Sequence, residues 1–354
     1  MLVDGGRRLR REIDPEVLLR VEGLRVSYPI REPGGGLRRL RAVDNVSFSV
    51  ARGEVLALVG ETGCGKTTTG QSVLRLIDPD QGRIWMHGRD ITRLRRSELK
   101  SFRASAQMVF QDPYASLDPR MTFGEIIAEP LAAHYMVDAA AVRPRVAELL
   151  EIVGLSPRFA HRYPHEFSGG QRQRVAIARA IALEPELLVA DEPLTALDVS
   201  VQAQILVLLN NLQRDFNLSM IFIAHDLATV RQVANRIAVM YLGRIMELAP
   251  TEDIMRKPLH PYTRALLSAV PVPDPVRQRS RKRLSLYGEP PSAHSPPTGC
   301  PFHPRCPEVT ELCTRQLPVL SELRAGHQVA CHHTEVSAAE MSGASWPVWR
   351  PRKR

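Results

Sequence analysis

Cysteine is scarce in this chain, with five among 354 residues, and aromatic residues make up only 5%. No apolar run approaches the roughly 18 residues that a membrane-spanning helix needs, so a helical integral membrane protein is not expected. The opening stretch MLVDGGRRLRREIDPEV carries charge with no apolar segment behind it, which argues against a secretory leader. A cytosolic setting is therefore expected, where thiols are normally reduced and structural disulfides are rare. No internal repeat is present. The formal net charge of +9 raises nucleic-acid binding as an option. The arginines are scattered, however, with no basic stripe interleaved with aromatics, and RQRSRKR (277–283) lies among prolines as a solvated linker would. No nucleic-acid partner is expected.

What is present is an alternation of buried strands and amphipathic helices over residues 20–245. EVLALVG (54–60), ELLVAD (186–191) and SMIFIAHD (219–226) are short apolar runs, as expected of strands covered on both faces. Ile205, Leu208, Leu209 and Leu212 recur at helical spacing, as do Val146, Leu149, Leu150 and Val153, with Gly154 placed to end that helix. Strand, helix, strand in this order predicts an α/β fold with a parallel sheet. After about residue 250 the character changes. Half of the 28 prolines fall between Pro250 and Pro318, which predicts an irregular appendage too proline-rich to extend the sheet. The closing SWPVWRPRKR reads as a basic tail.

Gly60-Glu61-Thr62-Gly63-Cys64-Gly65-Lys66-Thr67 fits the spacing G-x-x-x-x-G-K-[ST] between a predicted strand and a helix. Glycines let backbone N–H groups wrap phosphates without a Cβ in the way, and a helix N-terminus favours the anion. Lys66 would bridge the outer phosphates of a nucleotide and the Thr67 hydroxyl would ligate Mg²⁺. The strand ending in Asp191 and Glu192 delivers two carboxylates at the edge where open α/β sheets place ligands. Asp191 suits the magnesium shell, and Glu192 suits polarisation of an attacking water. Ser168-Gly169-Gly170-Gln171 opens another helix. The simpler reading is a serine N-cap; the other is a second phosphate-binding surface, serving a nucleotide held by a partner.

FSGGQ standing between a phosphate loop and a strand ending in Asp-Glu resembles the ABC ATPase family. Within that resemblance Gln111 in VFQDP corresponds to the Q-loop, Thr195-Ala196-Leu197-Asp198 to the D-loop and His225 to the switch histidine. Tyr28 corresponds to the ring that stacks on adenine, and residues 60–68, through Thr68, to the ATP-binding loop. Thr62 and Thr195 stand where relatives often carry serine and keep a hydroxyl. The resemblance implies an ABC-type P-loop ATPase domain over 20–250, with a parallel RecA-like core sheet, an antiparallel β subdomain and a helical subdomain at about 112–182. Segments 1–19, 251–335 and 336–354 would be an N-terminal extension, a C-terminal domain and the tail. It also implies two ATP molecules sandwiched between two such domains, with Lys66, Gln111, Glu192 and His225 catalytic and Thr67, Gln111 and Asp191 at magnesium. Ser168, Gly169, Gly170 and Gln171 would meet the other subunit's ATP.

VFQDPYASLDPRMTFGEIIAEPL (109–131), IFIAHDLATVRQVANRIAVMYLGRIMELAP (221–250) and LHPYTRALLSAVPVPDP (259–275) resemble the oligopeptide/dipeptide importers, on the side of the F-type ATPase subunit. This implies a second homologous ATPase subunit, two transmembrane permease subunits, an extracytoplasmic solute-binding protein met only indirectly, and a peripheral position on the cytoplasmic face of the membrane. An importer of another solute such as nickel, and a soluble ABC ATPase acting on nucleic acid or the ribosome, are the alternatives.

Cys300, Cys306, Cys313 and Cys331 are separated by five, six and seventeen residues, unlike the short pairs usual at zinc. Four thiols nevertheless suffice for a zinc ion or an iron–sulfur cluster, and unliganded loop cysteines are the plain alternative. The pattern with its closing Cys-His resembles the C-terminal region of peptide-importer ATPases that hold a 4Fe–4S cluster. Cys64, inside the phosphate loop, is not a fifth ligand.

Overall fold

The computed structural model of the protein describes residues 16–31, 35–135, 139–195, 197–270 and 288–334. The basic stretch at 277–283, the tail at 336–354 and most of the N-terminal extension lie outside the described residues. The chain opens with two long strands, β1 (Val17–Arg31) and β2 (Leu37–Ala51), followed by β3 (Val55–Val59) and helix α1 (Lys66–Val73). Strands β4 (Gln81–Met86) and β5 (Arg89–Asp90), helix α2 (Arg96–Ser105) and strand β6 (Ala106–Val109) come next. Helices α3 (Pro113–Ser116), α4 (Phe123–Tyr135), α5 (Ala139–Ile152) and α6 (Gly169–Ile181) then separate β6 from β7 (Leu187–Asp191). Helix α7 (Val199–Asp215) leads to β8 (Ser219–Ala224), short α8 (Leu227–Val230), β9 (Arg236–Tyr241) and β10 (Arg244–Pro250). The C-terminal region holds α9 (Thr251–Arg256), α10 (Pro261–Ala269), α11 (Glu311–Arg315), β11 (Ser321–Arg324) and β12 (His327–Val329).

Two sheets result. An antiparallel one runs β2-β1-β4-β5, and a mixed one runs β11-β12-β10-β9-β3-β8-β7-β6 with parallel pairing from β9 through β6. The three apolar runs expected to be strands are β3, β7 and β8, and they sit side by side at the centre. Because side chains alternate along a strand, β3 feeds two cores. Val55, Ala57 and Val59 pack with the helices α4 to α7, while Leu56 and Leu58 pack with the antiparallel sheet and α1. The two helical stripes are buried as their spacing requires. Leu149, Leu150 and Val153 are fully inaccessible, and Gly154 takes φ 72 to close α5, its N–H donating to Glu151 O at 2.8 Å.

The appendage departs from expectation. Strand β12 pairs antiparallel with β10 (Glu247 against Val329, Leu248 against Gln328), and β11 adds outside it, so the C-terminal region does extend the sheet. The reason is local: both strands follow Pro318, and no proline falls within either of them. A buried carboxylate fastens the join. Glu247 is fully buried and accepts from His327 Nε2 at 2.8 Å, Leu259 N at 2.7 Å and His260 N at 3.0 Å.

Candidate nucleotide site

The loop after β3 turns sharply because its glycines permit it. Gly65 has φ 100, and a Cβ there would lie 2.2 Å from Ala42 O; one on Gly60 would lie 2.2 Å from Met240 O. Gly63 has φ 80 and points to open space, while Thr62 is exposed. Lys66 is buried, its Nζ donating to Gly60 O at 2.9 Å and Glu61 O at 3.1 Å, so the ammonium closes the loop that would take phosphates. Cys64 packs beneath it, and burial pushes its thiol up despite the neighbouring lysine. Tyr28 reaches over from β1, its hydroxyl 3.4 Å from Thr68 Oγ1, which places the ring beside the start of α1.

The carboxylates meet this loop at the C-terminal end of β7. Thr67 Oγ1 donates to Asp191 Oδ1 at 2.9 Å. Asp191 is buried, and that burial pushes its carboxyl pKa up against the opposing effect of the Thr67 bond. A hydroxyl and a partly desolvated carboxylate side by side are the hard oxygen donors a magnesium ion takes. Glu192 adopts φ 42, a left-handed conformation that turns its side chain off the strand. Its Oε2 accepts from Gln111 Nε2 at 3.0 Å and Thr195 Oγ1 at 3.0 Å, and His225 Nδ1 stands 3.8 Å away. Three residues, Gln111, Thr195 and His225, thus converge on one carboxylate oxygen.

Ser168 and its neighbours lie apart from that cluster. Ser168 caps α6: its Oγ accepts from Gln171 N at 3.4 Å and Gln171 Oε1 accepts from Ser168 N at 3.1 Å. A Cβ on Gly170 would meet Val201 Cγ1 at 2.4 Å, so any other residue there would force Val201 to shift. The serine remains exposed, as a surface awaiting an outside ligand requires. Asp198 is the N-cap residue of α7, with no side-chain capping bond.

The four late cysteines are gathered in one corner of the appendage. Cys300 N donates to Cys313 O at 2.8 Å, Cys313 Sγ lies 3.3 Å from His333 Nε2, and His333 N donates to Cys331 Sγ at 3.5 Å. None is in a disulfide. Burial, with charge on Cys331 adding to it in both cases, pushes the Cys300 thiol up to about 11 and that of Cys306 up to about 12. The expected metal-binding arrangement is not seen: among the described residues no three His, Cys, Asp or Glu side chains are grouped to hold a metal ion. The soft thiols suit such a centre in kind, but their spacing does not suit a single ion.

Two residues at the phosphate loop were not legible in the sequence. The Tyr262 hydroxyl accepts from Glu61 N at 3.1 Å, and Arg305 Nη1 donates to both Glu61 carboxylate oxygens at 2.8 and 3.0 Å. Both belong to the appendage, hundreds of positions away, and no spacing signal points to them.

Comparison with known proteins agrees with this geometry. Residues 43–195 match the family described as ABC transporter, and residues 246–313 match the oligopeptide/dipeptide transporter C-terminal region. The probable peptide ABC transporter ATP-binding protein y4tS of Sinorhizobium fredii is 51% identical over 92% of this chain and 92% of its own length. The oligopeptide transport ATP-binding protein AppF of Bacillus subtilis is 50% identical over 90% of this chain and 97% of its own. Among solved structures, the ATP-binding cassette MJ0796, seen as a dimer bound to ADP and Pi, superposes with TM-score 0.60 at 29% identity. That match covers 66% of this chain and 99% of the cassette. Among the described residues no helix is long and apolar enough to cross a membrane. With its phosphate loop, its convergent carboxylates and a C-terminal region joined to the same sheet, the chain belongs to the ABC transporter ATPases, in the group that carries the oligopeptide/dipeptide transporter C-terminal region.

Proposed function

We propose that this chain is the ATP-hydrolysing, energy-coupling subunit of an importer for oligopeptides or dipeptides. The observation that carries the chemistry is the convergence of Gln111, Thr195 and His225 on one oxygen of Glu192, next to the Thr67–Asp191 pair. Glu192 would accept the proton of the attacking water, held in place by the Thr195 hydroxyl and the Gln111 amide. His225 would sit at the γ-phosphate, and Lys66 would leave its two carbonyl partners to bridge the outer phosphates. Thr67, Asp191 and Gln111 would hold the magnesium ion, which supplies charge neutralisation of the phosphates when bound. Tyr28 would stack on the base.

Ser168, Gly169, Gly170 and Gln171, at the start of α6 with Ser168 exposed, would complete the site of a second, homologous ATPase subunit, and Asp198 would line the same dimer seam. Two transmembrane permease subunits would supply the path, and a solute-binding protein outside the membrane would deliver cargo; the chain would sit on the cytoplasmic face. The peptide cargo is supported by the relatives' names and by the C-terminal region. We also infer an ATPase domain over 20–250, with its helical part at about 112–182, and a C-terminal domain over 251–335. For Cys300, Cys306, Cys313 and Cys331 we propose a 4Fe–4S cluster, wider than one ion; iron and acid-labile sulfide in anaerobically purified protein would support it, and a colourless zinc protein would sink it.

The test of the chemistry is Glu192→Gln. Turnover should fall by roughly 10²-fold or more while ATP still binds, since the amide keeps the hydrogen bonds and loses the base. Wild-type hydrolysis by this variant would remove Glu192 from the role. Isolation of the tagged chain from detergent-solubilised membranes should recover two polytopic proteins and a second ATPase.

A further inference from the structure

Glu61 of the phosphate loop is held at every polar group it has. Its carbonyl accepts from Lys66 Nζ at 3.1 Å, its N–H donates to the Tyr262 hydroxyl at 3.1 Å, and its carboxylate takes two bonds from Arg305 Nη1. Two of these three holds come from the C-terminal appendage. Arg305 lies on a short turn, His303–Arg305, directly between Cys300 and Cys306. Its side chain is only 7% exposed and that of Glu61 26%, so the pair is shielded from bulk water. The turn is seated by rings: Phe302 lies 5.4 Å from Tyr241 and 5.3 Å from Tyr262, centroid to centroid, and Tyr241 lies 4.8 Å from Tyr262. Arg305 is therefore supported from below by the packed core.

We propose that Arg305 is a positioning residue for ATP: from the cysteine-bearing appendage it pins Glu61 and neutralises its charge, and so sets the affinity of the phosphate loop in its own chain. The physics is direct. A nucleotide brings several negative charges to a loop that already carries a carboxylate at its second position. Unpaired, that carboxylate repels the phosphates; paired with a buried guanidinium, it does not. The two bonds from Nη1 also restrain the side chain of the residue whose carbonyl Lys66 must release when phosphates arrive. This inference rests on ATP binding at residues 60–68.

The test uses the full chain, with a fluorescent ATP analogue displaced by ATP for affinity and steady-state hydrolysis for kcat and KM. Arg305→Gln is expected to weaken ATP roughly 5- to 20-fold, in the range of linked sites, with kcat changed by less than about twofold. Arg305→Lys, which keeps the charge on a different geometry, should lose less. The double variant Glu61→Gln/Arg305→Gln should recover most of the affinity, because the repelling charge is gone; a role confined to holding the appendage together gives no such rescue. Unchanged affinity in Arg305→Gln, or a double variant as weak as the single, would overturn the proposal. Failure of the wild-type chain to bind ATP would instead sink the nucleotide site itself, a result plainly distinct from those two.

Discussion

His327→Ala should loosen the join between the appendage and the ATPase core. The imidazole donates to a carboxylate, Glu247, that is fully buried, and His327 is itself 1% exposed. Removing one partner of a buried charged pair typically costs about 3–5 kcal/mol, because the charge left behind is unpaired. Here two donors survive, the backbone N–H groups of Leu259 and His260. The loss is then nearer that of one hydrogen bond to a charged group plus a small cavity, about 2–3 kcal/mol. For a chain of 354 residues that is a fall of about 3–4 °C in melting temperature. Glu247→Ala strands three donors at once and should cost more, about 4–5 kcal/mol, enough to expose the appendage to protease before the core unfolds. Urea unfolding followed by circular dichroism, with limited proteolysis alongside, measures both. A His327→Ala variant within about 0.5 kcal/mol of wild type would refute the reasoning, since no buried charge could then depend on that imidazole.

Two further outcomes are expected, one from backbone geometry and one from a buried imidazole. Gly65→Ala forces a Cβ to within 2.2 Å of Ala42 O at φ 100, so the loop must move; ATP binding should be lost and stability should drop by at least about 2 kcal/mol, read by analogue titration and melting. Acid sensitivity should trace in part to His260, which burial holds at about 4 against an ordinary value of 6.5, with Glu247 opposing that shift and Arg264 adding to it. As pH falls between those values the unfolded chain takes up a proton that the folded chain refuses, so stability drops, by at most about 3 kcal/mol. His260→Asn keeps a cap for α10 and should flatten the melting-temperature profile between about pH 6.5 and 4.5; an unchanged profile would contradict it.

Much of the site could be read from the chain because its pieces are short and local. A phosphate loop is eight consecutive residues whose backbone does the binding, and its glycines are demanded by φ and by close carbonyls, so the pattern survives translation into sequence. The strands β3, β7 and β8 were legible for a similar reason: burial on both faces leaves an unbroken apolar run. Gln111 and His225 took their roles from resemblance alone, because a glutamine in a loop and a histidine after a strand carry no signal of their own. Only the fold shows that both point at Glu192. The expectation that prolines keep the appendage from the sheet failed because composition averages over a region, whereas pairing depends on a few residues. The segment after Pro318 has room for two short strands, and β10 offered a free edge to them.

By itself the sequence determined the α/β core, the phosphate loop, the two carboxylates and the place of the cysteines along the chain, since each is written in contiguous residues whose chemistry acts locally. The tertiary structure alone decided which distant groups face one another. It drew four cysteines into one corner, buried Glu247 beneath His327, and carried Arg305 and Tyr262 to the second residue of the phosphate loop. Those contacts depend on how β12 and the aromatic cluster seat the appendage, and packing of that kind leaves no spacing to read.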